Sequence, residues 1–119
     1  PQWLVIYKEE GVRFHGRTYD VEKNTISYKD GYATLWIRIS YPWKDQDFSS
    51  VIYHVKMDVP HKRIQTLSMT RYDYDGKVQS HGAGSKDRET IAEGSPMEKV
   101  HDYINKELLA GHIRMMSSL

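Results

Sequence analysis

The sequence contains no cysteine, which removes disulfides, thiolate nucleophiles and cysteine-based zinc sites together. No apolar run is longer than a few residues, so no segment is long enough to cross a bilayer as a helix. An excess of charge of one sign is missing as well: 17 Lys and Arg stand against 16 Asp and Glu, a formal net of +1. Nucleic-acid binders usually carry a broad basic excess, and no block of about five or six like charges forms a basic arm or acidic tail here. Nucleic acid is therefore not the expected partner. Phe is scarce too, with two residues, whereas Tyr occurs nine times and Trp three. Tyr and Trp join an apolar body to a polar tip, which suits half-exposed sheet faces and contact surfaces. The first residue is Pro1 rather than Met and no signal peptide is present, so the expected reading is a mature or excised piece whose targeting segment has been removed.

A chain of 119 residues has the usual length of one domain and buries enough surface for one core. Strand signals fill most of it. Trp3-Leu4-Val5-Ile6-Tyr7 is rich in β-branched and aromatic types. After Gly11 the pattern resumes from Val12 to Val21, and again at Thr25-Ile26-Ser27-Tyr28. Lys29-Asp30-Gly31 then reads as a hairpin turn, because both central residues tolerate positive φ. The next stretch alternates most clearly. Ala33, Leu35, Ile37 and Ile39 share one face, the core face, and Tyr32, Thr34, Trp36 and Arg38 share the other. Residues 41–50 lose the alternation and gain Pro and charge, which marks a loop. Val51, Tyr53, Val55, Met57 and Val59 then alternate against Ile52, His54, Lys56 and Asp58 until Pro60 ends the strand. Arg63 to Tyr74 reads as another strand, with Leu67 and Met69 opposite Ser68 and Thr70. Asp75-Gly76 forms a second hairpin, Lys77 to His81 returns, 82–87 is a flexible loop, and Glu89 to Ala92 is a short last strand. Short turns between sequential strands imply antiparallel pairing.

One helix closes the domain. Ser95 is the expected cap, Pro96 fits the first helical position, and Glu98 completes a Ser-x-x-Glu capping box. Met97, Val100, Ile104 and Leu108 recur on one face, and Gly111 marks the stop. The expected fold class is α+β: a mainly antiparallel, curved sheet of about six strands with one C-terminal helix packed on it. Residues 1–111 are read as a single domain and 112–119 as a frayed tail.

Catalytic and metal-binding patterns are missing. The six histidines, His15, His54, His61, His81, His101 and His112, form no His-x-His or His-x-x-x-His pair, so hydrogen-bonded sheet histidines are expected rather than ligands. Asp73-Tyr74-Asp75-Gly76 begins like a calcium loop, but Lys77-Val78-Gln79 supplies no further ligands, and the hairpin explains it better. Gly82-Ala83-Gly84 lacks a following helix N-terminus, which a phosphate cradle requires. No Gly-x-Ser-x-Gly elbow is present. The expectation is therefore no enzyme, no cofactor and no metal. What remains is a contact surface of Trp36, Tyr41, Trp43 and Phe48, since exposed aromatics near Lys and Arg are typical interface anchors. In the competing reading these rings fill the sheet's edge.

The order of signals is similar to a known family. The Trp3 strand leads to Thr18-Tyr19-Asp20 and the Thr25-Ile26-Ser27-Tyr28 strand, and Leu35-Trp36-Ile37 follows. Lys56-Met57-Asp58, Arg71-Tyr72-Asp73 and Ile91-Ala92-Glu93-Gly94-Ser95-Pro96-Met97-Glu98-Lys99-Val100 complete the series. Over roughly residues 3 to 105 this resembles the bacterial surface-adhesin protein E family of small exported domains. The resemblance implies a curved antiparallel sheet with one helix. It also implies an extracytoplasmic location, in the periplasm or at the cell surface, and a protein partner that is either a host matrix protein or an envelope neighbour. Family members often have a cysteine near the Asp58-Val59 position and another late in the final helix. This chain has neither, so Met57, Val59, Val100 and Ile104 are expected to hold helix to sheet by packing. Alternatives to an adhesin-like module are a structural envelope domain acting as a homodimer and a small-ligand binder with a pocket between helix and sheet.

Overall fold

Period-two patterning and two tight turns account for most of the architecture. A computed structural model describes residues 1–10, 16–42 and 47–116. It contains β1 (Trp3–Lys8), β2 (Thr18–Glu22), β3 (Ser27–Lys29), β4 (Tyr32–Ser40), β5 (Ser50–Asp58), β6 (Arg63–Tyr72), β7 (Val78–Ala83), β8 (Glu89–Thr90), the helix α1 (Pro96–Leu109) and β9 (Arg114–Met115). The main path runs β1-β2-β4-β5-β6-β7, and all its pairs are antiparallel. These six long strands match the expected number, and the short strands expected from Thr25 to Tyr28 and from Glu89 to Ala92 are present as β3 and β8. Only β9 was not expected, and these three strands are two or three residues long. β3 follows β2 along the same edge of β4, β8 extends the β7 edge of β6, and β9 pairs with β3 in parallel.

The Asp30-Gly31 turn has φ of 53° and 88°, the doubly left-handed geometry that Asp-Gly accepts at low cost. It fixes Lys29 against Tyr32 and thereby the register of β4. Ala33, Leu35 and Ile37 consequently lie at 0 % exposure beneath the helix, and each buried aliphatic side chain contributes roughly 1.5–3 kcal/mol. At the second hairpin, Asp73 Oδ1 accepts the N–H groups of Asp75 and Lys77 at 3.0 and 2.9 Å. This carboxylate is a turn cap. The Arg63 to Tyr74 strand is not uniform, because His54 pairs with Ser68 and Val55 with Thr66. That leaves Leu67 in a bulge, which turns it toward solvent. The stretch expected as a flexible loop is also more ordered than its composition implies. Gly82 and Ala83 belong to β7, and Ser85 N–H donates to Thr66 O at 2.9 Å. Gly84 lies so close to this bulge that a Cβ there would be 2.2 Å from Thr66 O, which excludes any other residue without backbone movement. Of the expected strand Val12 to Val21, Thr18–Glu22 forms β2, and 11–15 lie outside the described residues.

The helix begins as expected. Ser95 Oγ accepts Glu98 N–H at 3.2 Å, and Pro96 is the first helical residue. Glu98 reaches one residue further back than in a standard capping box, accepting Gly94 N–H at 3.0 Å, because Ser95 N–H already donates to Ala92 O. Val100 and Ile104 are fully buried and share one core with Met57 and Val59, so packing fills the place of a cysteine staple. His101 adds a tie, its Nε2 donating to Val59 O at 2.9 Å.

The tail departs from expectation. His112 N–H donates to Glu107 O and Gly111 N–H to Leu108 O, with Gly111 at φ 74°. This is a Schellman cap, which turns the chain back toward the sheet. Ile113 enters the core, Arg114–Met115 pair with Ser27 and Tyr28, and Met116 N–H donates to Tyr28 O at 2.8 Å. The free edge of β3 supplies the partners that order the chain up to Met116.

Candidate binding face

Alternation leaves the sheet with one covered and one uncovered face. α1 packs on the inner face, and no second layer covers the outer face among the described residues. Register aligns Trp3 with Glu22, and Trp36 with His54 and then Ser68. One row further along, Asp20, Arg38, Ile52, Thr70 and His81 lie side by side.

Trp36 stands near the middle of this face, 37 % exposed. Its indole stacks on the His54 imidazole with centroids 4.1 Å apart and planes 10° from parallel. Burial lowers the His54 pKa, which favours the neutral ring. Arg38 lies with its guanidinium 4.6 Å from the Trp3 ring centroid and bonds Asp20 Oδ2 at 2.7 and 3.0 Å. Tyr32 lies between Lys56, 4.4 Å from its ring centroid, and Arg88, which donates to its hydroxyl at 2.9 Å. A shallow cleft of about 270 Å³ opens between Trp3, Trp36, Ile52 and Tyr72.

Of the four residues expected to form a contact surface, Trp36, Tyr41 and Phe48 are described, and of these three only Trp36 lies here. Tyr41 and Phe48 are half-buried on the inner side, in edge-to-face contact at 5.2 Å, with Arg71 4.7 Å from the Phe48 ring centroid and Arg17 5.7 Å from that of Tyr41. The reason is parity. Tyr41 is two residues beyond Ile39 and shares its face, and Tyr41 N–H donates to Ser49 O, so the pairing of β4 with β5 continues past the strand end. These two rings fit the edge-filling reading. Trp43 lies outside the described residues. Trp3, His54 and Tyr72 join Trp36 instead. The alternation of β5 had placed His54 opposite its core face, whereas the orientation of Trp3 depends on its pairing with Glu22, which no local pattern encodes.

The inner face has its own cleft of about 330 Å³ between the start of α1 and the sheet, lined by Tyr19, Tyr53, Val55, Ile64 and Met97 among others. The described histidines do not converge. His61 bonds Asp58, His81 contacts Thr70 Oγ1, His112 bonds Glu107, and no group of three potential ligands occurs among the described residues. No described helix is long and apolar enough to cross a membrane. No family model, curated protein or solved structure matches this chain.

Proposed function

We propose that this is a non-enzymatic, exported binding domain that engages a protein partner through the outer face of its sheet, with Trp36 as the anchor. One observation carries the reading: a large, partly exposed indole is held rigid by stacking on His54, on a face that lacks a second layer among the described residues. A side chain fixed before binding loses little rotamer freedom on docking, and Trp is the residue type most enriched at binding hot spots. Lys56, Arg63 and Arg88 lie on or beside the same face, with no ion pair among the described residues, and give it a polar, cationic rim. The similarity to surface-adhesin protein E motifs adds the partner class, a matrix protein of a host or a neighbour in the envelope, and the extracytoplasmic location.

The test compares the domain with Trp36→Ala and Phe48→Ala in binding to immobilised matrix and envelope proteins. Loss of a hot-spot Trp costs about 2 kcal/mol or more, so Trp36→Ala should weaken binding about 30-fold while Phe48→Ala binds normally. Equal binding by all three proteins, or loss with Phe48→Ala alone, would overturn the assignment to the outer face. The inner cleft favours a second reading, a binder of small apolar molecules. Saturable uptake of a solvatochromic dye, blocked by Val55→Trp, would support it.

A further inference from the structure

The cleft beside Trp36 has a chemistry that docking alone does not require. Trp3, Trp36 and Tyr72 are its three aromatic lining residues, Ile52 and Thr25 complete the wall, and Glu22 is the one acidic residue among them. Aromatic faces carry negative potential and attract cations, Trp most strongly. The Trp3 ring already does so within the fold, with the Arg38 guanidinium 4.6 Å from its centroid. Glu22 is unusual among the acids of the chain. It is 4 % exposed yet makes no ion pair among the described residues, whereas buried charges generally have a counter-ion. Only neutral donors hold it: the N–H groups of Gln2 and Asn24 reach its Oε1 at 2.8 and 3.2 Å. The bond from Gln2, and next that from Thr25, keep the carboxyl below its ordinary pKa, so the group is anionic at neutral pH. Pro1 closes one end of the cleft.

From this arrangement we infer that the cleft receives an alkylammonium group, the side chain of a lysine on the protein partner, with the cation against the rings of Trp3, Trp36 and Tyr72 and its charge balanced by Glu22. The cleft is open on the sheet face and holds about 270 Å³, room for a butylammonium stem entering from a docked surface. This inference rests on the outer-face reading and narrows it to a partner that presents a basic side chain.

The experiment titrates the intact domain with n-butylammonium chloride and with tetramethylammonium chloride, using n-pentanol as neutral control at matched ionic strength. The readouts are the indole N–H resonances of Trp3 and Trp36 together with tryptophan fluorescence. Butylammonium should shift both resonances saturably, and pentanol should not. Glu22→Gln keeps the oxygen that accepts the Gln2 and Asn24 amides, so the fold should survive while affinity falls at least tenfold. Trp36→Leu serves as a second variant, with the same expected loss. Preference for tetramethylammonium over butylammonium would shift the assignment from a lysine side chain to a free quaternary ammonium ligand and overturn the lysine reading. Equal responses to the cation and to pentanol, or unchanged affinity in Glu22→Gln, would overturn the site altogether. A domain that binds a protein through Trp36 yet ignores both cations keeps the docking role and loses this inference.

Discussion

Tyr19 illustrates what a single position contributes to this fold. It is 7 % exposed on β2, 6.4 Å from the Tyr7 ring centroid, with the Arg17 guanidinium 5.6 Å from its own. Burial pushes its phenol pKa well above the ordinary value. The hydrogen bond to Glu9 pushes the same way, and the nearby Arg17 opposes them only in part. Because the folded pKa is raised, the protonated phenol contributes stability that is fully present below about pH 10 and lost as pH rises beyond it. In an alkaline titration followed by phenolate absorbance, the wild type and Tyr19→Phe should overlay while the chain stays folded and diverge only on unfolding. A native-state phenolate signal missing from Tyr19→Phe would refute the assignment. The sequence placed Tyr19 in a strand. Arg17, two residues earlier, shares its face by alternation, but Glu9 was not legible as a partner, because it reaches Tyr19 through the pairing of β1 with β2.

Among the elements, the helix was the most legible and the tail the least. Helix-starting chemistry is local: Ser95, Pro96 and Glu98 fall within four consecutive residues, and each satisfies or omits a backbone donor at the helix start. β4 and β5 were legible because strict alternation and the Asp30-Gly31 turn agree with each other. β9 is two residues long and has no periodicity to detect. It exists because Gly111 reverses the chain and β3 offers an unpaired edge, a non-local condition. The ordering of the tail rests on Ile113, 7 % exposed in the main core. Ile113→Ala should destabilise the domain by about 2 kcal/mol or more. It should also release hydrogen-exchange protection at the Met116 amide, which donates to Tyr28 O. Retained protection in that variant would show that strand pairing alone holds the tail.

For the whole molecule, the decisive property is the difference between the two faces of one sheet. Ile37 and Ile52 sit on neighbouring strands and carry the same side chain, but Ile37 is fully buried toward α1, whereas Ile52 lies half-exposed beside Arg38 and Thr70. Alternation predicted this division, since each strand's parity can be read locally. What it could not supply was the grouping of aromatics, because Trp3 and Tyr72 reach the Trp36 cleft from strands on opposite sides of β4. Ile37→Ala should cost about 2–5 kcal/mol, the range for large-to-small changes in a packed core. Ile52→Ala should cost about 1 kcal/mol or less, because much of that side chain already contacts water. Chemical denaturation of both variants measures the two costs on one scale. Similar losses would mean that a second layer covers the outer face and that Trp36 is a packing residue. A large difference, combined with weaker partner binding by Ile52→Ala, would mean that this face is kept at the expense of stability for what docks on it.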